Sequence, residues 1–173
     1  MPADSFQVHI TAPRAGTFMY HTHLDDVRQQ TGGLYGPFIV IEPGTDLDKD
    51  HDLILMVASS AGGVVLNGSD APAPATVRVG QTYRLRIANI TVANPGIIVQ
   101  FMRAGAPIQW RAVAKDGFDL PDRQATSRPA RQPASNGEIF DFEVTPDGPG
   151  DMTFEVRSGA GVLLVALPVR VVP

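Results

Sequence analysis

Cysteine is absent from all 173 residues. Disulfides, thiolate metal sites and thiol catalysis are therefore excluded within this chain. Basic clusters are missing as well: 14 Lys and Arg are set against 18 Asp and Glu, for a net charge of −4. Nucleic acid is not an expected partner, because neutralising phosphates needs a local surplus of cations. No apolar run is long enough to span a bilayer, and the longest, around Val162 to Val169, contains Pro168. The opening Met1-Pro2-Ala3-Asp4 has neither a basic stretch nor an apolar one, so no signal peptide is read in this chain. P-loop, dinucleotide and nucleophile-elbow patterns are absent too.

What is abundant is turn chemistry. Seventeen Gly and fifteen Pro are spread along the chain between short Val/Ile/Leu runs, which favours an all-β sandwich or barrel. Phe6, Val8 and Ile10 alternate with polar residues and read as a half-buried strand. A second strand is expected over Thr17 to His23, a loop or short helix over Leu24 to Gly33, and a buried strand over Phe38 to Ile41. Thr45 to Asp50, dense in Asp, reads as a linker. Beyond it eight strands are expected, beginning at Leu53, Ala75, Tyr83, Ile97, Gln109, Ile139, Met152 and Val162. Gly80-Gln81, Asn94-Pro95-Gly96, Asp116-Gly117 and Pro146 to Gly150 separate them as turns. Ala125 to Asn136, rich in Arg, Pro and Ser, reads as an irregular excursion. Residues 46–173 therefore make one Greek-key sandwich. Residues 1–45 hold too few strands to bury both faces and need strands from elsewhere.

His21-Thr22-His23 is the strongest chemical signal. Alternate residues of a strand point to the same side, with Cα atoms about 6.6–7 Å apart. That spacing suits two ligands on one metal, or one on each of two neighbouring metals. Imidazole alone does not choose among copper, zinc, iron and nickel, and two exposed histidines on a solvated strand would look the same.

The surrounding residues narrow the choice. The run from Ala12 through Gly16-Thr17-Phe18-Met19-Tyr20-His21-Thr22-His23, followed by Gly33-Leu34-Tyr35-Gly36-Pro37-Phe38, resembles the multicopper oxidase signature. Leu66-Asn67-Gly68, the strand Val79 to Asn89 with Tyr83-Arg84-Leu85-Arg86, Lys115-Asp116-Gly117 and Gly137 to Phe142 resemble later turns and strands of the same family. The resemblance implies two cupredoxin domains: the last strands of a first one over 1–45, and a second cupredoxin-like domain over 46–173. It also implies that His21 and His23 supply ligands to the two type 3 coppers of a trinuclear, oxygen-reducing cluster, one to each metal. The reaction it implies is laccase-like, a one-electron oxidation coupled to reduction of oxygen to water, in a periplasmic or secreted protein.

The departures are equally informative. The family uses four His-x-His pairs and a cysteine for its type 1 copper, whereas this chain has one pair and no cysteine. No laccase activity is expected of it alone. The expected partners are the missing cupredoxin strands or a second chain, with self-association into a homo-oligomer through the apolar residues Phe6, Val8, Phe18, Phe38 and Val40. Removing residues 1–45 should then leave a better-behaved monomer. The rival reading is a structural or binding module without redox chemistry. His9 and His51 read as solvated, Asp25-Asp26 as an acidic loop that could also relay protons, Trp110 as core, and Gly32, Gly33 and Gly36 as positions of positive φ or close packing.

Overall fold

The computed structural model describes residue 5 and residues 7–92 and 96–173. The Phe6 position and most of the Asn94-Pro95-Gly96 turn lie outside them. Fifteen strands and one short helix follow in chain order. The first unit is β1 (Gly16–His21), α1 (Asp26–Thr31) and β2 (Tyr35–Val40). The second holds β3 (Asp52–Ser60), β4 (Gly63–Leu66), β5 (Ala75–Arg78), β6 (Tyr83–Ile90), β7 (Ile97–Arg103), β8 (Ala106–Pro107) and β9 (Gln109–Lys115). It continues through β10 (Phe118–Asp119), β11 (Ser127–Pro129), β12 (Arg131–Ala134), β13 (Ile139–Val144), β14 (Gly150–Ser158) and β15 (Leu163–Val172).

Two sheets face each other in the second unit. One runs β10-β9-β13-β6-β3-β4 with β11 beside β9; the other runs β12-β7-β14-β15-β5 with β8 beside β7. Between them lies the main core, built from Leu55, Val57, Leu85, Ile87, Val99, Phe101, Phe142, Phe154 and Val156 among others. Trp110 stacks on Phe142 with ring centroids 3.8 Å apart, so it belongs to this core. All eight expected strands are present, and the fold is the all-β, cupredoxin-like sandwich.

Two expectations need correction. Residues 7–12 form no strand, and Val8 and Ile10 are exposed, because β1 pairs only with β2 and no neighbour offers them a ladder. The stretch from Ala125 to Asn136 is not irregular. β11 joins the first sheet through β9 and β12 the second through β7, with Ala130 fully buried between them. Pro133 is accommodated because β12 is an edge strand, where a missing N–H costs little.

Alternation explains how the two units meet. Leu55 and Val57 of β3 point into the main core, while Ile54, Met56 and Ala58 point to the opposite side. In β6, Leu85 and Ile87 face inward while Ala88 and Ile90 face outward. Met56, Ala58, Val65, Ala88, Ile90 and Ile139 thus form a second apolar cluster on the outer face of the sheet, covered by Met19 of β1 and Tyr35 of β2. The unbroken apolar run of β3 fits this double burial. The sandwich over 46–173 closes its inner core by itself, but its outer face relies on residues of the first unit.

The contact continues through glycines. A Cβ on Gly16 would lie 2.6 Å from the Gly117 carbonyl oxygen, so neither strand nor turn could stand back for a side chain. Arg14 locks this meeting point: its Nε donates to that carbonyl at 2.8 Å, and its guanidinium lies 3.3 Å from the Phe118 ring centroid.

Candidate metal centre

β1 ends at His21, opposite Tyr35, where β2 begins. The expected strand through His23 ends two residues early, at His21; the Thr22 N–H still donates to the Leu34 carbonyl at 3.3 Å. His23 lies beyond the ladder, in the bend that leads into α1. The His21 and His23 rings lie with centroids 4.6 Å apart, tilted by 41°. The His23 side chain is 82% exposed and His21 is half-buried, so the pair sits at the surface and outside the main core.

Each ring has its Nδ1 turned toward the protein. His21 Nδ1 lies 2.8 Å from the Thr22 carbonyl oxygen and 3.2 Å from Nε2 of Gln30. The Thr22 carbonyl can only accept and the Gln30 amide nitrogen can only donate, so the first contact suits a proton on Nδ1 and the second a lone pair there. His23 Nδ1 lies 3.8 Å from Asp26 Oδ2. The helix carries these supports. Gln30 is its one buried residue, and Thr22 donates its hydroxyl to Gln29. The acidic pair divides its work: Asp25 binds Arg28 at 2.6 Å, whereas Asp26 turns to His23 and keeps its Oδ1 buried with no partner among the described residues. Burial pushes the neighbouring Tyr35 phenol above its usual range, so it remains neutral.

Of the candidate glycines, Gly33 has φ +94° at the exit from the helix, and Gly36 lies beneath Tyr20, whose hydroxyl oxygen would be 2.6 Å from a Cβ there. Both roles were legible as positive φ or close packing. His9 is exposed. His51 is only partly exposed; it binds Asp48 at 2.9 Å and packs on the Tyr83 ring. That hydrogen bond holds the Asp48 carboxyl below its usual range.

A buried ionic cluster escaped the sequence reading. Asp141 accepts from Thr17 Oγ1 at 2.8 Å, Arg84 Nε at 2.9 Å and Arg86 at 3.2 Å. Arg86 also donates to Thr17 Oγ1 at 2.8 Å and pairs with Asp52 at 2.9 Å. Asp141 and Thr17 are almost wholly buried. Arg84, Arg86 and Asp141 alternate with core residues and so read as solvent-facing; nothing in that pattern indicates that β1 lies over them. The cluster joins the two units rather than forming a second reactive site.

Comparison with known proteins can now be set against this geometry. Residues 1–45, which include both histidines, match the family model described as multicopper oxidase. The resemblance is to the multicopper oxidases. Solved structures similar to the chain include a blue copper oxidase from Nitrosomonas europaea, at 21% identity and TM-score 0.76, covering 98% of this chain and 60% of that one. A multi-copper oxidase from Pseudomonas thermotolerans matches at 22% identity and TM-score 0.65, covering 91% and 41%. A copper nitrite reductase from Nitrosomonas europaea matches at 16% identity and TM-score 0.72, covering 94% and 64%. These likenesses establish the fold. The chain spans about 60% of the length of the blue copper oxidase. Comparison with curated proteins returns no match.

Imidazoles are good copper ligands; His21 is hydrogen-bonded from its Nδ1 side, as metal-bound histidines are, and His23 Nδ1 stands 3.8 Å from Asp26. Among the described residues no group of three or more His, Cys, Asp or Glu is placed to hold a metal ion.

Proposed function

We propose that this chain contributes His21 and His23 to a copper centre of the trinuclear type, one imidazole to each type 3 copper, in a laccase-type oxidoreductase. The observation that carries the reading is the paired rings at 4.6 Å, both with Nδ1 facing protein acceptors and one side chain almost entirely open to solvent. Copper, when bound, supplies the electron transfer and oxygen reduction that no side chain here performs. The residues of this chain hold and orient: the Thr22 carbonyl fixes the His21 ring, Asp26 faces His23, and α1 supports both. The other ligands, and the cysteine of an electron-entry copper, must come from a further polypeptide segment or a second chain. A periplasmic or extracellular setting follows from the same reading. Among the described residues no helix is long and apolar enough to cross a membrane.

Titration of the protein with Cu(II) under chelator competition tests this. The expected result is weak binding that broadens the NMR signals of His21 and His23 before those of His9 and His51, and that disappears in His21→Ala/His23→Ala. Binding unaffected by that double substitution overturns the reading. A rival function, a structural cupredoxin module without redox chemistry, is favoured by the lack of cysteine and, among the described residues, of a third ligand. Absence of copper binding even with the missing domain supplied would establish it.

A further inference from the structure

We propose that one divalent metal ion joins two copies of this chain, each copy giving the imidazoles of His21 and His23; this rests on the reading of the pair as metal ligands, but not on its division between two coppers. The two ring centroids stand 4.6 Å apart. Imidazoles bound to a single ion through bonds of about 2.0 Å, at about 90–110° around the metal, have centroids roughly 4.5–5 Å apart. The pair is therefore already at the separation of a two-point chelate. Both rings meet the protein at Nδ1: the Thr22 carbonyl and the Gln30 amide face His21, and Asp26 faces His23. Nε2 is the nitrogen left to an ion, which displaces any proton carried there.

Two imidazoles fill half of a four-coordinate shell, tetrahedral for zinc or tetragonal for Cu(II). Among the described residues no third His, Cys, Asp or Glu is placed to extend it, and Asp26 faces the Nδ1 side of His23. A two-fold axis through the ion brings the same pair from a second copy and completes four nitrogens, since such a contact uses one patch on both partners. The surroundings of the pair suit a second copy. Leu24, Val27 and Leu34 are 88%, 64% and 54% exposed. Leu24 follows His23, Val27 follows Asp26, and the Leu34 carbonyl accepts from the N–H of Thr22, between the two ligands. Apposed copies would bury these side chains and exclude water from the ion. Charge does not oppose the approach. Asp25 and Arg28 neutralise each other at 2.6 Å, and one Asp26 from each copy balances the dipositive ion.

Sedimentation equilibrium of the full chain with and without Zn(II) tests this, because association independent of metal appears in both arms. The mass should rise toward twofold, saturate at one ion per two chains and fall back on adding a chelator. Cu(II) at the same site should show four nitrogen ligands by EPR. His23→Ala should lose both responses. Leu24→Ser/Val27→Ser keeps the ligands and should weaken metal-linked dimerisation about tenfold or more. Saturation at one ion per chain without gain in mass overturns the proposal, as does a Cu(II) spectrum with two nitrogens completed by oxygen donors. These two wild-type results decide the matter even where a variant fails to fold. A metal-linked dimer that persists in folded His23→Ala, or is unchanged in the serine variant, overturns it as well. Failure of the ligand reading looks different: no ion would perturb the His21 and His23 signals, whereas failure of the dimer alone leaves an ion bound to the pair of a monomer.

Discussion

The two units of the chain bury themselves in opposite ways. Residues 46–173 surround an inner core in which Val57, Ile87, Val99, Phe142 and Val156 are fully buried. The unit over residues 7–43 has only one covered face. Among the described residues eleven large apolar side chains are exposed, and eight of them lie between Val8 and Ile41. Its inner side packs well: Met19 and Tyr35 cover an apolar cluster, and Thr17 enters a buried ionic cluster. The outward side, with Tyr20 and Phe38 exposed, is a sheet surface awaiting a partner. A strand pair can be ordered by one neighbour and still be incomplete.

Removing residues 1–45 is the most severe way to break this comparison. The expectation from sequence was a better-behaved monomer, but the covered outer face reverses it. The shortened chain should stay folded around its inner core and expose Met56, Val65 and Ile90, so light scattering should show more association than in the full chain. A clean monomer of unchanged stability would mean that the first unit rests on the sandwich without supporting it.

Single substitutions sharpen the contrast. Phe142→Ala removes a ring stacked on Trp110 and should cost roughly 3–5 kcal/mol in urea unfolding. Phe38→Ala, on the open face, should stay within about 0.5 kcal/mol and reduce self-association. Equal costs at the two positions would mean that the open face is covered within the full chain.

Asp141→Ala tests the joint between the units. It leaves Arg86 buried with one carboxylate fewer and should cost about 3 kcal/mol, near the lower end for a broken buried pair because Arg84 is partly solvated. Thr17→Val should cost about 1–2 kcal/mol, the price of one buried hydrogen-bonding group. A negligible effect of Thr17→Val would mean that the cluster is satisfied without β1.

The smallest effect concerns pH. Burial raises the Glu138 carboxyl, but the Lys115 ammonium and the Ser135 N–H outweigh it and hold the group below the usual glutamate range. Its folded value being the lower one, the stabilisation is present above the unfolded value and lost as pH falls through the folded value. Lys115→Met should flatten that acid limb slightly in unfolding curves, while the limb due to other carboxylates remains.

Much of this molecule was legible in its residues. Short apolar runs between Gly and Pro turns placed the eight main strands, because alternation and turn chemistry are local properties. Asn67-Gly68, with φ of 50° and 81°, and Gly33, with φ of 94°, follow from conformations those residues favour. The histidine pair was legible for the same reason, as a motif. What the residues could not disclose was what stands behind that pair: the strand ends at His21, and the Thr22 carbonyl, Gln30 and Asp26 face the two rings. Nor could they disclose that Arg86 and Asp141 are buried: a charged residue alternating with core residues reads identically under solvent or under another strand. Gln30, one of two adjacent glutamines on a short helix, gave no sign of facing a ligand. Periodicity assigns a side chain to a face, and only the tertiary structure decides what lies over it.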